Sequence, residues 1–348
     1  MKKIPVAILG ATGSVGQKFI ELLSDHPWFQ ISELAASERS SGKKYKDATK
    51  WVMASQLNKT IADMEVKACE PNLNSKLVFS ALDSSVAGQI ETDFANKGYF
   101  VISNSKNHRF DKEVPLLIPE VNYEHLELLK NKSGGIVTNP NCSTIGMVMA
   151  LKPLHDAFGI ETVNVVTMQA VSGGGYPGVP SMDIIDNVIP YISGEEDKMK
   201  TEPLKILGKL NGSDIEFADI KISAQCNRVS VIDGHLENVQ VKFSKKPSKE
   251  EIVKVWKEYK SLPQILDLPS APKIPIHFFE EDHLPQPRLN RNLENGMAAS
   301  VGRLRECEIF DYKFVVLSHN TIRGAAGGTI LLAELLKAQG YLNGIINE

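Results

Sequence analysis

Cysteine is scarce in this chain: four in 348 residues, Cys69, Cys142, Cys226 and Cys307, far apart and with no Cys-x-x-Cys pair. That spread excludes a disulfide-built secreted scaffold and predicts free thiols in a reducing, cytoplasmic compartment. Long apolar runs are missing too. Nothing approaches the roughly 20 residues of a membrane helix. Met1-Lys2-Lys3 passes directly into a short apolar stretch at 6–9 that reads as a strand and not as the core of a signal peptide. Neither sign of charge dominates: 39 Lys+Arg against 42 Asp+Glu leave a formal net charge of -3. Nucleic-acid backbones and anionic lipids therefore have no global field to follow. A small-molecule partner is the expectation, with no nucleic acid, no membrane and no metal.

What is present points to an α/β protein of about two domains. Short apolar runs alternate with helical periodicity through the first third, at 6–9, 15–23 and 77–81, which predicts a doubly wound parallel sheet. Beyond about residue 155 the texture changes. Strand-like segments at 163–170, 228–232, 239–243 and 314–319, with Gly/Pro-rich loops between them, predict a mixed sheet with helices on one face. At the tail, Ile330, Leu331, Leu335, Leu336 and Leu342 recur at helical intervals and predict an amphipathic closing helix over 329–342. The spacing does not say which domain that helix joins.

Directly after the first strand comes Gly10-Ala11-Thr12-Gly13-Ser14-Val15-Gly16, leading into a helix. A side chain at these glycines would keep a pyrophosphate from the helix N-terminal N–H groups and the positive end of the dipole. The spacing is G-x-x-G-x-x-G, and its place between a strand and a helix is what gives it meaning. Gly10, Thr12, Gly13, Ser14 and Val15 are the candidate pyrophosphate contacts. About 20 residues on, Ser37, Arg39 and Ser40 offer hydroxyls and a guanidinium suited to a 2′-phosphate, which favours NADP. Glu38 could instead accept a ribose hydroxyl and keeps NAD open, and a merely solvated loop is the bland reading.

Cys142 stands apart from the other thiols. Asn139-Pro140-Asn141-Cys142-Ser143-Thr144 leaves a strand through a proline turn and enters a helical pattern, placing Cys142 near a helix N-terminus where the dipole favours thiolate. An aldehyde-attacking thiolate needs an acid or base nearby, and His235 on the Asp233-Gly234 turn is a candidate, with His108 and His319 competing.

These segments together resemble the aspartate-semialdehyde dehydrogenase family, in particular its archaeal and fungal branch. The matches run in order along essentially the whole chain: GATGSVGQ, ASERSSGKKY, SNSKNHRF, NPNCST, MQAVSGGGYPGVPS, TEPLKILG, RVSVIDGH, PQPRLNR and HNTIRGAAGG. The resemblance implies a Rossmann dinucleotide-binding domain over 1–141, rejoined by a C-terminal helix at about 324–348. A catalytic and dimerisation domain like that of glyceraldehyde-3-phosphate dehydrogenase would occupy 142–323. By matching position, Cys142 is the expected nucleophile, His235 the acid/base and Gln169 the residue orienting substrate and water. Arg228 would clamp the substrate carboxylate with its planar fork. Glu202 would meet the substrate amine and Lys205 the phosphate; from spacing alone this pair could equally be a solvated ion pair. Arg109 and Asn141 would complete the phosphate site, Ser172 and Gly173 would approach the cofactor, and Asn320 would meet its nicotinamide end.

The implied reaction is NADP-dependent and phosphorylating. It interconverts L-aspartate 4-semialdehyde and L-4-aspartyl phosphate through a cysteine thioester, in the biosynthesis of lysine, threonine, methionine and isoleucine, and a homodimer or homotetramer would carry it out. A malonyl-CoA or succinyl-CoA reductase of the same fold is the nearest rival, but it would leave Asn141 and Glu202 without work. N-acetyl-glutamyl-phosphate reductase departs from the NPNCST motif. A nucleotide-sensing protein without catalysis is the reading from another class, and it has no need of a reactive Cys142.

Overall fold

The computed structural model describes residues 3–344. The chain forms two units. The first gathers Met1–Leu117, Glu124–Asn139 and Ala325–Glu348, and the second Ile118–Tyr123 and Pro140–Gly324. Met1, Lys2 and 345–348 lie outside the described residues, so the end of the expected 324–348 segment is not covered.

Six parallel strands make the first unit: β1 (Ile4–Leu9), β2 (Phe29–Ala36), β3 (Val66–Ala68), β4 (Leu77–Ser80), β5 (Phe100–Ser103) and β6 (Gly135–Thr138). Their order is β3-β2-β1-β4-β5-β6, the arrangement of a Rossmann fold, whose order reverses at β1 and opens a crevice beyond its carboxyl end. β4 and β5 are buried at every position, because crossover helices cover both faces of a parallel sheet. Ala7, Leu9, Val78, Phe94, Tyr99, Val101 and Ile136 form one cluster of its core. Burying a side chain the size of leucine or phenylalanine contributes about 1.5–3 kcal/mol.

The closing helix is Gly327–Ala338, and it packs on the first unit, against β5 and the helix Ser14–Leu23. It is not amphipathic, contrary to expectation: every residue from Gly327 to Leu336 is buried. Glu334 lies inside, with His26 Nε2 2.7 Å from its carboxylate.

The second unit is built on a mixed sheet. After β7 (Ile160–Gln169), a small hairpin of β8 (Lys209–Asn211) and β9 (Asp214–Glu216) precedes β10 (Lys221–Arg228), β11 (His235–Phe243), β12 (Ile276–Phe279), β13 (Ala299–Glu306) and β14 (Tyr312–Ser318). The order is β10-β7-β11-β14-β13-β12. β7 runs parallel to β10 and antiparallel to β11. Burial alternates along β11, as in a sheet with one covered face. The helices Cys142–Phe158 and Lys249–Glu258 pack on that sheet.

One expected strand is corrected. The segment 228–232 is not extended pairing: β10 ends at Arg228, and Val229–Gly234 is a loop. Val231 N–H turns back onto the Val229 carbonyl at 2.8 Å, while the Val231 and Ile232 carbonyls accept from Val171 and Ser172. The β-branched residues Val229, Val231 and Ile232 here support a loop-to-loop seam, not a ladder.

Candidate active site

In the first unit, the turn after β1 is shaped by what glycine lacks. Gly10 has φ +72°, and a Cβ on it would come within 2.6 Å of the Ala81 carbonyl oxygen. At Gly16 a Cβ would run into the Gly10 carbonyl and the Ala11 backbone. The carbonyls are turned inward: Tyr45 Oη donates to Ala11 O at 2.8 Å, and Gln17 Nε2 and Thr49 Oγ1 donate to Thr12 O at 3.1 Å each. The helix Ser14–Leu23 starts from Gly13, with no side-chain cap and no acid in its first turn. Its first N–H groups, at Ser14 and Val15, have no intrahelical partner by construction and are set to receive an anion. A Cβ at Gly13 would meet nothing nearer than 3.5 Å, so this side is open. The residues present therefore fit a dinucleotide pyrophosphate.

Ser37, Arg39 and Ser40 follow β2, the strand beside β1, in a turn closed by Ser40 N–H on the Ser37 carbonyl at 2.9 Å. Ser37, Glu38 and Arg39 are exposed and Ser40 is buried. Arg109, also in the first unit, is buried and donates from Nη2 to the Asn104 carbonyl at 3.0 Å.

The second unit brings most of the other predicted residues together. Asn141 is the N-cap of the helix Cys142–Phe158: its Oδ1 accepts from the N–H groups of Ser143 and Thr144 at 3.0 and 3.3 Å. Its Nδ2 donates to Glu195 at 2.9 Å, and its own N–H to Glu202 at 2.7 Å. Cys142 is the first residue of the helix and partly exposed, with Sγ 3.2 Å from His235 Nε2. Of the competing histidines, His108 bonds Asp111 and the Gly88 carbonyl, while His319, close enough for its charge to act on His235, has Thr321 Oγ1 3.4 Å from its Nδ1.

Around this pair, Gln169 ends β7 and donates to Glu195 at 3.3 Å, while Arg228 ends β10 and donates from Nη1 to the Ala170 carbonyl at 2.7 Å. A Cβ on Gly173 would lie 2.9 Å from Arg228 Nη1 and 3.3 Å from His235 Nε2, so this glycine keeps the ground between guanidinium and imidazole clear. Asn320 Nδ2 donates to Ser172 Oγ at 2.8 Å and its Oδ1 accepts from Gly234 N–H at 2.8 Å, tying two predicted cofactor contacts to the histidine turn. Glu202 and Lys205 share the helix Glu195–Ile206. Both are buried, at 1% and 2% exposure, which removes the solvated-pair reading.

Burial governs the electrostatics. It pushes the Cys142 thiol up to about 12, with the Glu195 charge acting the same way. It also pulls His235 down to about 3, helped by the Arg228 charge. The resting pair is thus neutral, and the preformed thiolate expected from the helix dipole alone is outweighed by desolvation. Glu195 goes the other way: burial opposes its charge, but Lys198, Asn141 and Gln169 hold it below the usual carboxylate range.

Sequence reasoning missed Glu195, Lys198 and Gly324. Glu195 and Lys198 fall seven and four residues before Glu202, on the same helical face, a spacing that could have been extended backward. A Cβ on Gly324 would lie 2.6 Å from Cys142 Cβ; only its place in the HNTIRGAAGG motif hinted at it. No group of three or more metal-binding side chains occurs among the described residues, and no helix there is long and apolar enough to cross a membrane.

Comparison with known proteins supplies the context. Residues 5–129 match the family model "Semialdehyde dehydrogenase, NAD binding domain" and 151–323 match "Semialdehyde dehydrogenase, dimerisation domain". The aspartate-semialdehyde dehydrogenase of Archaeoglobus fulgidus is 52% identical over 338 residues, covering 95% of this chain and 97% of the relative. That of Schizosaccharomyces pombe is 52% identical over 352 residues, covering 97% and 99%. A crystal structure of aspartate semialdehyde dehydrogenase with NADP from Candida albicans superposes with a TM-score of 0.92 at 46% identity, covering 99% of this chain and 100% of that one.

Proposed function

This chain belongs to the aspartate-semialdehyde dehydrogenase family, and we propose that it is an NADP-dependent, phosphorylating oxidoreductase that interconverts L-aspartate 4-semialdehyde and L-4-aspartyl phosphate. The observation that carries this reading is the 3.2 Å approach of Cys142 Sγ to His235 Nε2 at a helix N-terminus, in a chain 52% identical to enzymes of that name. The activity belongs to amino-acid biosynthesis.

Residues 1–141 with the C-terminal helix would hold the dinucleotide and 142–323 would carry the chemistry. Gly10, Thr12, Gly13, Ser14 and Val15 receive the pyrophosphate, Ser37, Arg39 and Ser40 the 2′-phosphate, and Ser172, Gly173 and Asn320 the nicotinamide end. Bound NADP supplies the hydride acceptor. Cys142 adds to the aldehyde carbon while His235, as the acid/base, takes the thiol proton, and departure of hydride from that carbon leaves a thioester on the sulfur. Arg228 fixes the substrate carboxylate and Glu202 its amine, Gln169 orients the reacting group, and Arg109, Asn141 and Lys205 hold the phosphate that attacks the thioester. Asn141 keeps one N–H for this task after binding Glu195.

Met182, Ile185, Val188 and Tyr191 are 54–87% exposed, a run of apolar surface in the unit that matches the dimerisation model and support for a homo-oligomer. The scattered free thiols fit a cytoplasmic setting.

The test is NADPH formation followed by absorbance. Aspartate semialdehyde with phosphate should support it, malonyl-CoA should not be reduced, and omission of phosphate should end steady turnover. Exclusive reduction of the CoA thioester would overturn the reading.

A further inference from the structure

We propose that the buried Glu120–Arg323 ion pair positions the nucleophile: it holds the main chain of Gly324 against Cys142 and so leaves the thiol one direction, into the site. The inference deepens the aspartate-semialdehyde reading and rests on it for the reaction alone.

Gly324 lies hard against the nucleophile. A Cβ on it would come within 2.6 Å of Cys142 Cβ, 2.9 Å of its Cα and 3.4 Å of its carbonyl oxygen. At such separations the packed atoms leave Cys142 no freedom on that side. Its sulfur is directed elsewhere, 3.2 Å from His235 Nε2. Gly324 can close that side only if it is itself fixed. Its N–H donates to the His319 carbonyl at 3.0 Å, which closes a turn, but a turn on its own can shift as a body.

The preceding residue supplies the anchor. Arg323 and Glu120 are each 1% exposed. Nη1 of Arg323 donates to Glu120 Oε1 at 2.7 Å and Nη2 donates to Oε2, a bidentate pair. Burying two charges offsets much of what their attraction gains, so apolar residues of similar size would serve stability as well. What the pair adds is direction, because the planar guanidinium meets a carboxylate in one plane and at one angle. The main chain at 323–324 is fixed with it.

The anchor returns to the helix that carries the thiol. Arg323 Nη2 also donates to Met149 Sδ at 3.4 Å, and Met149 lies seven residues after Cys142 in the helix Cys142–Phe158, about two turns along the same face. Glu120 is held in its turn. Its carbonyl accepts from Tyr259 Oη at 2.6 Å. Tyr259 ends the helix Lys249–Glu258, whose Trp256 Nε1 donates to the Ala150 carbonyl at 2.9 Å. The circuit therefore begins and ends on the helix of Cys142, and all of it lies in the second unit. Glu120 and Arg323 are positioning residues, acting on the thiol through Gly324.

The experiment is a mutant cycle in kcat on the full-length protein. Glu120→Leu with Arg323→Met removes both charges together, so neither is left unpaired in the core, and the urea midpoint should stay near that of the wild type. kcat should nevertheless fall about 100-fold while KM stays within about twofold, as for a misplaced nucleophile. A normal kcat would overturn the proposal, whatever the urea midpoint does. Gly324→Ala leaves the pair intact and presses a methyl group onto Cys142. It should lower kcat by a similar factor, and its crystal structure should show Sγ displaced from His235 Nε2. A sulfur that stays in place while residue 324 moves instead would overturn the proposal, and this arm decides if the paired variant does not fold. All three substitutions together should cost little more than the first two, because without the ion pair the segment yields to the methyl group. Additive losses, as a role in stability alone would give, would overturn it. The crystal structure needs no substrate, so an unmoved sulfur leaves the substrate reading intact, and a wild-type protein inactive on aspartate semialdehyde leaves the positional test standing.

Discussion

Two helix N-termini in this molecule are used in opposite ways. The helix Ser14–Leu23 begins at Gly13, with no side-chain cap and no acid in its first turn. The helix Cys142–Phe158 begins at Asn141, whose own side chain takes the N–H groups of Ser143 and Thr144. The first terminus is left open, so a phosphate can complete it. The second is closed by its own cap, which fixes the first turn and presents a thiol. Leaving groups out makes a binding site for the dinucleotide, whereas filling the terminus in makes a rigid mount for a nucleophile.

The strongest break of this comparison is Cys142→Ala. Turnover should fall by about 10³-fold or more, while NADPH affinity, measured by fluorescence titration, stays within twofold of the unmodified protein. A variant that retains most of the rate would remove the nucleophile from the account. Next is Arg228→Lys, which keeps the charge but loses the planar fork held by Ala170. kcat/KM for aspartate semialdehyde should drop on the order of 100-fold, and a near-normal value would detach Arg228 from the substrate.

Exchanging the character of the termini gives smaller effects. Gly13→Ala places a methyl over the open N–H groups at a φ of -76° that alanine accepts, so NADP affinity should weaken roughly tenfold with the urea midpoint unchanged. Asn141→Ala should instead cost about 1 kcal/mol of stability as a lost cap, read by urea unfolding. A purely kinetic effect of Asn141→Ala would contradict its role as a cap.

The last prediction concerns Glu237, buried on β11 with no hydrogen-bond partner for either carboxyl oxygen among the described residues. Burial holds its carboxyl well above the usual range, so the folded protein keeps a proton that the unfolded chain releases. Stability from this group is full below the unfolded value and is lost as pH rises toward the folded one, by up to about 1.4 kcal/mol per pH unit. Between pH 5.5 and 7.5 the urea midpoint of the wild type should decline more than that of Glu237→Gln; parallel declines would show that Glu237 does not hold the proton.

How much was legible in advance follows from distance along the chain. The glycine turn was readable because its parts are contiguous, and so was Cys142, because the polar turn before it and the helix it begins are local. Glu195 was not, because its work depends on Asn141, 54 residues away. The buried character of the closing helix depends on His26, 308 residues from Glu334. The loop after Arg228 looked like a strand because it is rich in valine and isoleucine, while its actual partners, the backbone of 171–172, come from another segment. Ala170 offers no side-chain signal at all, since it holds Arg228 through its carbonyl.

The most direct measurement of the central claim is a single-turnover mixing experiment without phosphate. Protein, NADP and aspartate semialdehyde should give a burst of about one NADPH per subunit and then stall, with the acyl group found by mass spectrometry on the peptide containing Cys142. Added phosphate should release it. No burst, or an acyl group on any residue other than Cys142, would contradict the account.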